Sequence, residues 1–209
     1  MEQRRKNLTQ LFIPICLETL LYMLSGMVDT LMLSSVSDQA VGAVGTANTY
    51  IGVFIIMFGV ISSGMVAVMT QNIGAGKPGV AYQARQLGLI FNAVVGVMMS
   101  VFLAVFSGKI LGIVSIAPAL FTPAETYLKI VGGACFLNAL IPIFSSYLRV
   151  FGYTRQSLFA SITGNIINFI LNSVFLFVMN WGVMGVAIAT VISRVINLIM
   201  VAAMGAVLV

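Results

Sequence analysis

Residues 11–34 read LFIPICLETLLYMLSGMVDTLMLS. The fold turns on whether this stretch is a cleavable leader or a retained membrane helix. It follows a basic start, MEQRRKN at residues 1–7, as a leader would. An ordinary leader core is only about 7–15 apolar residues long. This run is longer, and it holds two acids, Glu18 and Asp29. As a helix it exceeds the roughly 20 residues that cross the hydrocarbon of a bilayer. We read it as the first membrane helix.

The same character recurs along the chain. Nearly uncharged runs cover residues 41–73, 86–106, 130–148, 156–180 and 182–209. Short polar breaks separate them: SSVSDQ, GAGKPG and GYTR. A longer connection, SGKILGIVSIAPALFTPAET at 107–126, reads as partly interfacial. The expectation is an all-α membrane protein. Residues 1–10 are a cytoplasmic N-terminal tail, and residues 11–209 form a bundle of six transmembrane helices. Composition agrees: 60% of the 209 residues are hydrophobic and 7% charged, with a mean hydropathy of +1.11. A soluble domain carries about a quarter charged residues.

Several function classes fall away. The net charge of +5 suits a nucleic-acid binder. The basic residues, however, do not cluster on one patch, so no nucleic-acid partner is expected. There is no His, which removes imidazole metal sites and proton relays. No nucleophile stands with a base, and GAGKPG lacks the length and the Lys-Ser/Thr ending of a phosphate-binding loop. The chain is not expected to be an enzyme, and no organic cofactor is implied. Cys16 and Cys135 sit in separate apolar runs and read as reduced packing residues.

Orientation follows from the basic residues. Six crossings place Arg4, Arg5, Lys6, Lys77, Arg85, Arg149 and Arg155 on one side, and Lys109 and Lys129 on the other. The richer side is expected to be cytoplasmic, with the N-terminus. The last run ends in GAVLV with no polar flank, so the expectation is a chain that stops early or continues in a further part.

The polar residues within the spans form stripes. Glu18, Tyr22, Ser25 and Asp29 follow one another at steps of 4, 3 and 4, which keeps them on one helix face. Ser161, Asn165, Asn168 and Asn172 repeat that spacing, and Thr190, Arg194 and Asn197 form a third stripe. Polar groups in lipid face one another or a wet cavity, because an ionised residue at mid-helix costs about 2.5–3.5 kcal/mol or more. At a rise of about 1.5 Å per residue, Asp29, Asn168, Asn172 and Thr190 fall at similar depths in the outer half of the bundle. One carboxylate, two amides and a hydroxyl would make an oxygen site for Na+, and the carboxylate alone could hold a proton. Burial disfavours the ionised carboxylate and a bound cation restores it, which is the chemistry of exchange. Glu18 and Arg194 fall nearer mid-depth and are expected to pair. Ala84, Gly88, Asn92 and Gly96 form a small-residue seam for close helix contact. Pro14 falls early in the first span, and Pro142 is expected to kink the fourth at Asn138.

In this order, MVDTLML, VGAVGTAN, TQNIGAGK and GNIINFILNSVF followed by GVMGVAIATVISR, the chain resembles the MATE (multidrug and toxic compound extrusion) transporters. The likeness runs from about residue 8 to the end and covers the first of the family's two six-helix lobes. It implies a cation-coupled antiporter, exchanging H+ or Na+ for amphipathic, cationic compounds. It implies a coupling role for Asp29, matching the aspartate of VDT, with Asn168, Asn172 and Thr190 at the polar positions of the fifth and sixth helices. Pro14 matches a proline proposed to let the first helix bend. Glu18, Tyr22, Ser25, Asn165, Arg194 and Asn197 are candidates for the cavity wall or for ion pairs. Some relatives carry a second Asp at the place of Asn172, absent here. The expected partners are a small amphipathic substrate, membrane lipid and a second lobe, from a longer chain or another copy. The competing expectation is a non-transporting truncated protein, or an assembly or regulatory subunit of a complete relative. A lipid-carrier flippase would need more cations than Arg194 in its cavity.

Overall fold

A computed structural model describes residues 8–113 and 116–208, the side chains of residues 8–11, Tyr22 and Ser25 excepted. The elements in chain order are α1 (Leu8–Ser34), α2 (Asp38–Gly74), α3 (Pro78–Ile113), α4 (Pro118–Tyr127), α5 (Cys135–Val150), α6 (Thr154–Ser173) and α7 (Gly182–Leu208). Two single π turns, Leu128–Gly132 and Val174–Val178, follow α4 and α6. Most of the expected N-terminal tail, with Arg4, Arg5 and Lys6, lies outside the described residues.

Local chemistry sets the boundaries. Ser37 caps α2 by accepting from the backbone N–H of Gln39, and Asp38 places an acid in the first turn, where the helix dipole favours it. Gly76 and Gly152 turn the chain at φ of +71° and +80° after α2 and α5, a conformation that side chains with a Cβ rarely adopt. Pro78 opens α3, where its missing N–H costs nothing.

Among the described residues, five helices are long and apolar enough to cross a membrane, and α4 with α5 makes a sixth, bent span. The six-helix bundle is therefore present. Helix covers nearly all of the connection at 107–126, since α3 continues to Ile113 and α4 begins at Pro118. There is one correction: the fourth span bends by 42° between Gly132 and Cys135, not at Asn138. Helix α5 runs through Pro142, and α2 and α3 bond to carbonyls that follow the one the proline leaves free, at Asn138. Asn92 of α3 donates to the Ala139 carbonyl at 2.9 Å, and Ser62 of α2 donates to the Pro142 carbonyl at 3.1 Å.

Helix α5 sits at the centre, against α2, α3, α6 and α7. Leu137, Ala139, Ile143 and Leu148 on it are buried. The seam on α3 faces this centre: a Cβ added at Gly96 would lie 2.7 Å from Cβ of Ala139, and one at Gly88 3.0 Å from Sδ of Met65. Around the outside, Ile56, Leu87, Ile90, Phe91 and Val105 are exposed, as a lipid-facing surface requires. Helix α1 is the peripheral one. Phe12, Leu20, Met23, Met27 and Leu31 are all exposed, and α1 rests chiefly on α6.

Candidate functional site

What holds α1 to its neighbours is largely polar. At one end, Oε1 of Glu18 lies 2.6 Å from Arg149 of α5. Ser157 and Ser161 of α6 donate to the same carboxylate at 3.1–3.2 Å. Two turns on along α6, Asn165 donates to the Leu21 carbonyl at 3.3 Å. At the other end, Asn172 Nδ2 donates to Oδ1 of Asp29 at 2.6 Å and to Oδ1 of Asn168 at 3.2 Å. The α1 and α6 stripes thus meet along their length, because in an apolar solvent each polar group is the other's best partner.

Asn168 and Asn172 lie one turn apart on the buried face of α6. Thr190, buried on α7, donates to its own Val186 carbonyl at 2.8 Å, which leaves its oxygen free to accept from another group. Tyr127, at the end of α4, is buried and faces Asn48 of α2 and Thr190. Oδ1 of Asn172 is buried without a partner. Both π turns begin within two residues of this cluster, after Tyr127 and after Asn172. Such turns widen a helix locally and occur often at functional sites.

These residues open on a cavity of about 710 Å³. It is not confined to the outer half. It runs from Glu18 and Arg149 past Asn165 and Asn138 to Asp29, Asn168 and Thr190. Met23, Ile55, Ile141 and Pro142 supply apolar wall. Tyr22 and Ser25 belong to the same expected stripe, but their side chains lie outside the described residues.

The expected pair of Glu18 with Arg194 does not form. Glu18 takes Arg149, nearer the helix ends, and the Arg194 guanidinium instead donates to Oδ1 of Asn138. Asn197 packs on Gly164 of α6, its Oδ1 buried and unpartnered. Pro14 lies inside α1, which continues as helix on both sides of it. Cys16 and Cys135 are both free thiols. Sequence reading missed Asn48, Tyr127, Asn138, Arg149 and Ser157 as wall or anchor residues. Asn48 and Asn138, each an amide in an apolar run, gave a signal of the kind used for the stripes.

No three His, Cys, Asp or Glu residues among the described ones could share a metal. A small monovalent cation asks for less: one carboxylate with neutral oxygens beside it. Asp29, the unpartnered oxygen of Asn172, Oδ1 of Asn168 and the Thr190 hydroxyl are of that type.

The sequence pattern of the family described as MatE matches residues 14–174. An uncharacterized transporter of Bacillus subtilis, YisQ, is 36% identical over 190 residues, covering 89% of this chain and 42% of its own. A probable multidrug resistance protein of Thermotoga maritima, NorM, is 30% identical over 209 residues, with 92% and 42% covered. A solved multidrug resistance MATE family transporter in an outward-facing conformation superposes with a TM-score of 0.86 at 20% identity, over 94% of this chain and 44% of that one. The chain spans about 42% of the length of these curated relatives.

Proposed function

The chain belongs to the MatE family, and from that premise we propose that it forms one lobe of a cation-coupled exporter of amphipathic small molecules. One observation carries the proposal: Asp29 stands inside a membrane helix, bonded to Asn172 and opening on the cavity. A carboxylate so placed has two stable conditions. Ionised, it accepts from the amide of Asn172. Loaded with H+ or Na+, it needs an acceptor oxygen in place of that donor. The unpartnered oxygen of Asn172 meets the need if the amide turns over. The coupling ion would then be exchanged together with a half-turn of one side chain. That movement alters the grip of α6 on α1, the helix least buried in the bundle.

Asn168, whose Oδ1 accepts from the same amide in the ionised condition, would turn with it, and Thr190 would offer a further oxygen. The ligand would occupy the cavity between these groups and the Glu18–Arg149 pair, its apolar part against Met23, Ile55 and Ile141. A second lobe would supply the opposing wall, with both ends of this lobe exposed in turn. The N-terminus would be cytoplasmic, on the side richer in Lys and Arg. The test is transport in everted membrane vesicles from cells producing the chain, driven by a pH or Na+ gradient. Asp29→Asn is expected to abolish gradient-driven accumulation. Coupling unchanged in that variant would remove the assignment, and no transport under either gradient would favour a non-transporting subunit.

A further inference from the structure

Arg194 is a charge on the cavity wall with no carboxylate in contact. The ion pairs among the described residues are Glu125 with Lys129 and Glu18 with Arg149. Neither involves Arg194. Its guanidinium carries five N–H donors and directs one of them at Oδ1 of Asn138. That contact fixes the amide, since the opposite orientation would set an NH2 group against the guanidinium, donor to donor. Nδ2 of Asn138 is consequently turned away from Arg194, and it has no partner. The residue is 9% exposed. The thiol of Cys135 lies beside it, but a neutral thiol is a weak acceptor. A buried donor left without an acceptor costs about 1–3 kcal/mol.

A second group on the same helix face is in the same condition. Ser145 follows Asn138 by seven residues, lines the same cavity, and its hydroxyl is buried without a partner. The middle of the cavity wall therefore carries the Arg194 guanidinium, with an amide NH2 and a hydroxyl buried beside it and unpartnered. Among the described residues no carboxylate pairs with that guanidinium. The charges agree. Glu18 and Arg149 cancel within their own pair, which leaves Asp29 and Arg194, close enough to feel each other's field but not in contact. Once Asp29 is loaded with a cation, the charge of Arg194 is uncompensated. An ammonium group in that space would be repelled, and an oxyanion would find the guanidinium, with the Asn138 NH2 beside it to be uncovered by a small shift of the side chain.

We infer that the ligand of this cavity carries an oxyanion, a carboxylate or phosphate on an amphipathic molecule, held by Arg194 and Asn138. The inference rests on the cavity being the ligand site of the proposed exporter, and it reverses the cationic substrate expected from sequence. The apolar wall at Ile55, Ile141 and Pro142 would receive the tail.

The test is isothermal titration calorimetry on the chain in phosphatidylcholine nanodiscs, with octyl phosphate, octyltrimethylammonium and inorganic phosphate as probes. Octyl phosphate is expected to bind about tenfold or more tightly than octyltrimethylammonium, with inorganic phosphate weaker than octyl phosphate. Asn138→Asp gives Arg194 a carboxylate of its own and is expected to weaken octyl phosphate by about tenfold or more. Arg194→Gln is expected to do the same, and it serves if the first variant does not fold. Octyltrimethylammonium binding as tightly as octyl phosphate, or an affinity for octyl phosphate that both variants leave unchanged, would overturn the inference. Inorganic phosphate binding as tightly as octyl phosphate would overturn its amphipathic half. Phosphatidylglycerol discs distinguish the source. Competition there identifies a lipid headgroup as the occupant and unchanged affinity a soluble ligand, and both uphold the oxyanion site. The titrations involve no gradient, so their failure is separate from a failure of ion coupling at Asp29.

Discussion

Glu18 of α1 and Arg149 of α5 meet at 2.6 Å, and the carboxylate also receives the hydroxyls of Ser157 and Ser161 from α6. This cluster joins three helices at the end of the bundle opposite Asp29. It matters more than a surface pair because many of the apolar side chains of α1 are turned outward, and its hold on the bundle is largely polar. Glu18→Gln keeps the shape but loses the charge. It is expected to destabilise the chain by about 1.5–3 kcal/mol, the range for hydrogen bonds to charged groups. Partial exposure of Arg149 places the effect toward the lower end. Thermal melts in detergent check this. A double-mutant cycle with Arg149→Gln should return a coupling of about 1 kcal/mol or more, while Glu18→Gln with Arg194→Gln should be additive.

A second prediction separates two glycines of the α3 seam. A Cβ at Gly96 would meet Cβ of Ala139 at 2.7 Å and the Phe136 backbone at 3.1 Å, neither of which can retreat without moving α5. At Gly88 the obstacle is the thioether of Met65, the flexible end of a side chain. Gly96→Ala is expected to cost about 1–3 kcal/mol, and Gly88→Ala clearly less. Melting temperatures of the two variants, measured side by side, decide this.

The polar stripes were legible because spacing alone settles them. Steps of 4, 3 and 4 put Glu18 and Asp29 on one face and Asn165 to Asn172 on another, and lipid leaves such faces no partner but each other. Partner choice within the stripes was less legible. Glu18 and Arg194 fall at similar depths when residues are counted from helix ends, yet depth says nothing about which neighbour lies across from which. Arg149 read as a topology signal because it stands near a loop. The bend of the fourth span was misplaced for a related reason. Pro142 has the local chemistry of a kink, but how far the helix bends there is set by the packing of α2 and α3 against α5, which comes from residues remote in sequence. Tyr127 was hidden by its surroundings. Pro118, Pro123, Glu125 and Lys129 look like a connection, and the helix they occupy forms against α2.

A third prediction follows from that packing. Asn92 is wholly buried and donates to the Ala139 carbonyl, one turn before Ile143. Replacing it with Leu leaves this carbonyl without the cross-helix donor and puts a bulkier group into the seam. Asn92→Leu is expected to cost about 1–3 kcal/mol. The bend between Gly132 and Cys135 is expected to survive Pro142→Ala, since it lies at the π turn and not at the proline. Spin-label distances between the start of α4 and the end of α5 should be unchanged in that variant.

The last prediction concerns the ion. Asp29 has an amide, Asn172, as its bonded neighbour, so its site holds a single negative charge. Asn172→Asp would place two carboxylates within bonding distance. Two like charges so close cannot both stay ionised without a cation between them, so the variant should take up either a shared proton or Na+. Added NaCl is expected to raise its melting temperature, as binding to the folded state alone does, while choline chloride at equal ionic strength leaves it unchanged. The unaltered chain, with one acid, is expected to respond less. The difference should vanish in Asn172→Asp combined with Asp29→Asn, because the pair is then a single acid again. A Na+ response that persists in that double variant would mean the cation binds somewhere other than between α1 and α6.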